Sequence, residues 1–243
     1  MRKRSAKTIL SVLTCLSLGQ WSHAERDARL SHATGKVSII SADGTATIVD
    51  PKDVPLPLQV GETVATDAPG SATIQLDAEN TVELDAKSRL EIKDLDSAWT
   101  KLSLPFGRIF AKIEEKLRAK DRRMNVITRT AVLAVRGTEF AVEASDDDAD
   151  PGGLGVFEGK VETEFTALGV TTPVEVSADQ EVVFARSGPL PRPRAIERFA
   201  LARQRMVMLR KRHSKLRKAW KQLSSRRRNQ IRQRMRSRRQ GRR

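Results

Sequence analysis

Thr128-Arg129-Thr130-Ala131-Val132, followed by Ala134-Val135-Arg136-Gly137-Thr138-Glu139-Phe140-Ala141-Val142, is the stretch on which the reading of the fold turns. Two apolar, β-branched runs meet at Arg136-Gly137. They read as strands joined at a tight bend or bulge, because glycine adopts backbone conformations that other residues resist. Arg136 reads as closing that bend through hydrogen bonds to backbone carbonyls or to a nearby carboxylate. The motif residues Arg136, Gly137, Thr138 and Phe140 are therefore expected to be structural.

Outward from this string the chain alternates apolar and polar residues: Lys36-Val37-Ser38-Ile39, Ala72-Thr73-Ile74-Gln75-Leu76, Thr81-Val82-Glu83-Leu84 and Arg89-Leu90-Glu91-Ile92. A period of two means strands with one face buried. Further runs lie at 101–104, 108–113, 125–130, 139–143, 155–165, 174–177 and 181–185. Turn chemistry closes them at Asp43-Gly44, Pro69-Gly70-Ser71, Glu79-Asn80, Ala86-Lys87-Ser88, Pro105-Phe106-Gly107 and Gly152-Gly153. Strand starts every ~8–12 residues are the spacing of an all-β sandwich, barrel or roll. The first strand is expected after His32. Residues 114–123 carry a charge run without an apolar stripe and read as a solvated loop, with a short helix or a long hairpin connection as alternatives. The acidic loop at 146–150, with Asp146, Asp147, Asp148 and Asp150, reads as solvated; its spacing departs from an EF-hand calcium loop.

Charge divides the chain. Residues 189–243 hold 22 Lys and Arg against the single acid Glu197, whereas residues 25–188 hold 19 against 29 Asp and Glu. A basic block of this length needs a polyanionic partner or full solvation. Its compartment follows from the N-terminus: Arg2, Lys3, Arg4 and Lys7 precede an apolar stretch, and Ser22-His23-Ala24 offers a small-residue cleavage site. The apolar stretch falls short of the roughly 20 residues that cross a bilayer, so a signal peptide over 1–24 is expected, with no transmembrane span after cleavage. Cys15, the sole cysteine, leaves with it, so neither a disulfide nor a thiolate metal site is expected.

Several of these pieces together resemble the FecR domain family. Its typical V-R-G-T-x-F-x-V string matches Val135 to Val142, and Leu58-Gln59-Val60-Gly61-Glu62-Thr63-Val64-Ala65-Thr66 is similar to its L-x-x-G-D-x-I-x-T element. Gly35-Lys36-Val37 resembles its opening strand; the runs from Ser71, Asn80 and Ser88 resemble its central strands. Gly107-Arg108-Ile109 and Val156-Phe157-Glu158-Gly159-Lys160-Val161 resemble later ones, and Ala178-Asp179-Gln180 resembles its closing A-G-Q turn. The likeness extends over about 34–186, with Glu79-Asn80-Thr81 in place of D-G-S and Arg129-Thr130 in place of T-P. The resemblance implies a mainly β domain of the periplasm with a sensing or binding role. Full members place a sigma-factor-binding segment and a transmembrane helix before this domain; here a signal peptide stands instead, so anti-sigma activity is not expected. The expected fold class is mainly β, a FecR-like antiparallel β sandwich or roll (a β-helix-like roll is the alternative), followed by a long C-terminal basic α-helix.

Catalysis is not expected. His23 is lost with the signal, His32 precedes the β runs and His213 lies in the basic tail, leaving no histidine base inside the domain. No cofactor or metal is called for, although a carboxylate-based hydrolase of envelope polymers remains a remote alternative.

After the prolines 189, 191 and 193, the residues Phe199, Ala202, Met206, Leu209, His213, Leu216, Trp220 and Leu223 follow steps of three and four, the spacing of a heptad seam. The expected layout is a signal peptide (1–24), a β domain (25–188), a Pro-rich linker (189–194), and a basic amphipathic helix with an Arg-rich tail (195–243). Phe199, Met206, Leu209, Leu216, Trp220 and Leu223 form its apolar face. Arg205, Arg210, Lys211, Arg212, Lys215, Arg217, Lys218, Lys221, Arg226, Arg227, Arg228, Arg232, Arg234 and Arg236 are the candidate contacts to an anionic surface. Homo-oligomerisation by pairing two tails is disfavoured, because like charges would meet within the screening length of about 8 Å. Export likewise disfavours genomic nucleic acid. The expected partner is an anionic membrane or envelope polyanion, or an acidic protein; docking back onto the acidic β domain is the competing outcome. The expected location is periplasmic or secreted, in association with the envelope.

Overall fold

The computed structural model describes residues 28–76, 80–95, 99–114, 123–147, 151–184 and 186–222. In chain order the strands are β1 (Ala28–Thr34), β2 (Val37–Ile40), β3 (Ala46–Ile48), β4 (Leu56–Leu58), β5 (Thr63–Thr66), β6 (Ser71–Leu76), β7 (Asn80–Leu84) and β8 (Ser88–Leu95). Three long strands follow, β9 (Trp99–Lys112), β11 (Val132–Ala144) and β12 (Gly153–Phe165), with the shorter β10 (Arg123–Ile127) between the first two and β13 (Val170–Ser177), β14 (Gln180–Val183) and β15 (Arg194–Ala195) after the third. An α-helix, α1 (Ala202–Gln222), comes last.

The long strands each serve two layers. Residues 107–112 of β9, 139–144 of β11 and 153–158 of β12 lie side by side, extended by β7, β6, β1 and β4 on one flank and by β14 and β15 on the other. This is layer A. The other halves, 99–106, 132–136 and 160–165, pair with β8, β5, β2 and β3 on one side, with β10 between them, and with β13 at the far edge. This is layer B. Their apolar faces join in a single core cluster that includes Ile74, Leu84 and Val156 from layer A and Val64, Leu102 and Val161 from layer B.

Glycine makes the change of layer feasible. The three long strands turn at Gly107, Gly137 and Gly159, with φ of 96°, 59° and 78°, values L side chains resist. The bends also nest: a Cβ on Gly159 would run into the Gly137 carbonyl, and one on Gly107 into Ser88. Gly137 of the diagnostic string is thus the hinge point of β11, as its position between two apolar runs predicts.

Three expectations are corrected. The first strand among the described residues, β1, contains His32 rather than following it; its run Ala28-Arg29-Leu30-Ser31 alternates but is too short to stand out. Pro105-Phe106-Gly107 lies inside β9 instead of ending a strand, because a glycine bend redirects a ladder without breaking it. The helix begins at Ala202 rather than 195: residues 194–195 pair with β14, and a turn with Ala202 N–H bonded to the Phe199 carbonyl precedes the first helical turn. Of the charge run at 114–123, residues 115–122 lie outside the described residues; β10, which follows it, runs parallel to the first half of β9. Asp148, Asp150, Leu223 and the arginines from Arg226 onward lie outside the described residues, as do the side chains of Trp220 and Lys221.

Candidate functional site

Layer A has an outer face unlike that of layer B. In layer B burial alternates, as in β2 and β5. In β6 and β7 nearly every residue is buried, so both faces are covered. The cover is α1 and the segment leading to it. Cross-strand register places Glu181, Gly155, Ala141, Phe110, Glu83 and Thr73 in one outward row across six strands. Apolar residues and glycines occupy the middle, and carboxylates stand around them.

The tail fits this face by its heptads. Phe199, Met206 and Leu209 are buried in a second cluster with Phe110, Ala141, Phe157 and Ala202, separate from the main core. Each such side chain contributes about 1.5–3 kcal/mol by leaving water. Phe199 sits on bare backbone: a Cβ added to Gly155 would lie 2.7 Å from its Cβ and Cγ. The chain is guided into this position by Glu181, itself fully buried, whose carboxylate accepts the Arg194 Nε–H at 3.0 Å and the backbone N–H groups of Glu197 (3.0 Å) and Phe199 (3.1 Å).

Two rows of arginine, each spaced by seven residues, flank the apolar seam. On one side Arg198 bonds Glu143 at 3.1 Å, Arg205 pairs with Asp85 at 3.0 Å and Glu83 at 3.4 Å, and Arg212 donates to Glu83 at 2.6 Å and to Thr73 at 3.2 Å. On the other, Arg203 bonds Asp179 at 2.6 Å, Arg210 bonds Glu139 at 2.6 Å, and Arg217 approaches Glu114 at 4.0 Å. Guanidinium planes suit this role, since they hold carboxylates in fixed geometry and stack on rings. Arg205 lies 5.5 Å from the Phe110 ring centroid and Arg203 5.8 Å from that of Phe157.

Titration behaviour follows from these neighbours. Burial pushes the Glu83 carboxyl up, although Arg212 and Arg205 oppose the shift. Glu139 is also disfavoured by burial, but hydrogen bonds from Arg210 and Lys112 and their charges outweigh it and hold the group below its ordinary value. His213 is buried, its Nδ1 2.9 Å from the Thr81 hydroxyl, and desolvation pushes its pKa down despite the Glu114 carboxylate 3.5 Å from Nε2.

The structure therefore divides the predicted surface residues. Arg205, Arg210, Arg212 and Arg217 face the domain's own acids, whereas Lys211, Lys215 and Lys218 point outward and are exposed. Of the predicted apolar face, Phe199, Met206 and Leu209 are buried and Leu216 half-buried. The acidic half of the site, Glu83, Glu139, Glu143 and Glu181, was not singled out in the sequence. Its signal lay in the alternation itself, which puts these acids and the bare Gly153 and Gly155 on one outward face.

The motif residues sit at the layer change. The Thr138 hydroxyl lies 2.9 Å from the carbonyls of both Arg136 and Lys160, tying the bends of β11 and β12 together, and Phe140 is fully buried. Arg136 is exposed beside a groove of about 410 Å³ lined also by Gly137, Gly159 and Lys160. Among the described residues, no group of three or more His, Cys, Asp or Glu is arranged to hold a metal ion.

A two-layered all-β domain hinged at glycines, with a basic helix bound across one acidic face, is the class of structure these features define. Residues 62–162 match the family model described as FecR protein. The matched stretch contains the V-R-G-T string but neither Gly35-Lys36-Val37 nor Ala178-Asp179-Gln180. No curated protein matches the chain. Two crystal structures of a candidate anti-sigma factor from Parabacteroides distasonis ATCC 8503, at 1.65 Å and 2.50 Å, are similar at 16% identity and a TM-score of 0.49. Each comparison covers 58% of this chain and 62% of the solved one.

Proposed function

We propose that the protein is an exported, non-catalytic FecR-type sensing or binding module, held at an anionic surface of the cell envelope by its basic C-terminal segment. The observation that carries this reading is the segregation of cations on α1. Lys211, Lys215 and Lys218 form an outward row, clear of the carboxylates that the arginines engage, and lead into residues 224–243, which hold ten Arg and no acid. Lysines on the exposed face of a helix suit attraction to anionic headgroups, each adding ~1 kcal/mol near such a surface. The exposed Leu201, Val207 and Met208 lie on the same side. Export is supported by the signal-like residues 1–24, and no helix among the described residues is long and apolar enough to cross a membrane.

The test is cell fractionation of the full chain and of a form lacking residues 224–243, followed by washing of the envelope with increasing salt. Full-length protein is expected in the envelope fraction and released by salt, with the shortened form soluble outside the cytoplasm. Equal solubility of both forms overturns the proposal. A second reading, an assembly protein docking its basic helix on an acidic protein, is favoured by one observation: α1 already recognises a carboxylate-rich protein surface, its own. Retention unaffected by salt but lost on removing one partner protein supports that reading.

A further inference from the structure

We infer that the outer face of layer A is a binding site for a basic amphipathic helix, occupied reversibly by residues 194–222 of the same chain and open to the same segment of a second copy. This goes beyond the envelope-surface reading and does not depend on it.

Three observations point to a site rather than to an ordinary part of the core. The main cluster of buried apolar residues draws all its members from residues 28–184, so the sandwich is filled without the helix. The contact under α1 is a separate, narrow strip, with Phe199, Met206 and Leu209 as its anchors. Around it the helix is held largely by ion pairs from two seven-residue arginine rows. Such pairs weaken with salt. The carboxylates they engage, Glu83 and Glu139 among them, lie on the sheet's outer face, so they return to water when the helix leaves. Release therefore strands no charge in an apolar interior, the circumstance that makes breaking a buried pair so costly.

The chemistry of the ligand is equally specific. It needs an aromatic side chain able to seat on Gly153 and Gly155, apolar residues seven and ten positions further on, and arginines on both flanks at a spacing of seven. Residues 194–222 supply all of these. In trans, the basic segment of one copy would meet the acidic face of another, a complementary pairing. Pairing of two tails would bring like charges together. The segment 186–193 before β15 forms no strand and includes Gly188 at φ 98°, leaving the chain room to carry the helix away.

The test uses the full-length protein and a fluorescent peptide of residues 194–222. Saturable binding is expected, weakened at least tenfold by Phe199→Ala in the peptide and by 0.5 M salt, and strengthened at least tenfold when the protein's own Phe199 is replaced by Ala. In the unmodified protein, α1 amides should exchange hydrogen faster than those of β6 and β7, and faster still when peptide is added. A scrambled peptide of the same composition that binds equally well overturns the inference. So does α1 exchange that matches the core strands and does not respond to peptide, a result that needs no variant to fold.

Discussion

Glu139, two residues beyond the hinge glycine of the family motif, accepts a hydrogen bond from Arg210 at 2.6 Å, and Lys112 donates to its other oxygen at 2.9 Å. The most diagnostic string of the β domain thus carries, at its centre, a contact with the basic tail. Glu139→Gln keeps the shape and removes the charge that both cations approach. Truncating one partner of a buried pair costs about 3–5 kcal/mol, but Arg210 is half exposed, so a loss of about 2 kcal/mol is expected. Denaturant unfolding measures it. An unchanged midpoint and slope would show that Arg210 and Lys112 are satisfied by water.

Gly155→Ala tests the seat of Phe199. The added methyl lies 2.7 Å from that side chain's Cβ and Cγ, while the inward neighbours Leu154 and Val156 stay in place. The helix must therefore shift, at about 1–3 kcal/mol, the usual cost of overpacking. Faster cleavage by trypsin at the arginines of α1, with the β strands still protected, is the expected pattern. Equal loss of protection throughout would mean that sandwich and helix form one cooperative unit.

Gly159→Ala addresses the hinge. The substitution meets a strained φ of 78° and a collision with the Gly137 carbonyl, so both bends must adjust together. A loss of about 3 kcal/mol is expected from the left-handed backbone and the displaced neighbour, lowering the melting temperature by about 10 °C. Gly169→Ala is the comparison: its φ is 66°, but a Cβ there meets nothing within 4 Å. Similar losses at the two sites would assign the effect to backbone strain alone and remove the nested bends from the account.

Most strands were legible in the sequence, because burial on one face of layer B writes a period of two directly into Val64, Leu90 and Ile92 and their polar neighbours. The division into two layers was not. A strand that crosses between layers keeps its alternation on both sides of the bend, so Arg108 to Ile113 reads as a new strand although it continues β9. Gly137 was recognisable as a bend, but its nesting with Gly159 depends on a pairing across 22 positions. The apolar seam of α1 was legible to Leu216. What covers it was hidden, since Glu83 and Glu139 look like solvent-facing residues until a basic helix lies over them. The arginines looked like a free cationic surface for the same reason: charge in a sequence does not say which carboxylate it meets.

His213 should make docking of α1 sensitive to pH. Its ring faces Thr81 from β7, Lys112 at the end of β9, Glu114 just beyond it, Glu139 from β11 and Arg217 on the next turn of the helix. Desolvation lowers its pKa in the docked state, against the pull of Glu114. Released into water the ring titrates near its ordinary value, about 6.5. Above that value it is neutral in both states and docking is at full strength. As the pH falls through it, the released helix gains the proton first, so docking weakens until the docked ring is protonated too. Glu83 shifts in the opposite sense, its carboxyl being raised by burial, and His32 is lowered by its own desolvation and by Arg212. Both groups are retained in His213→Asn, which keeps a polar partner for Thr81 without titrating. Subtracting the variant's profile from that of the unmodified protein therefore isolates His213. Hydrogen exchange of α1 between pH 5.5 and 7.5, corrected for intrinsic rates, should show opening that grows on acidification in the unmodified protein and not in the variant. Identical profiles would place the sensitivity on Glu83, Glu139 or His32 instead.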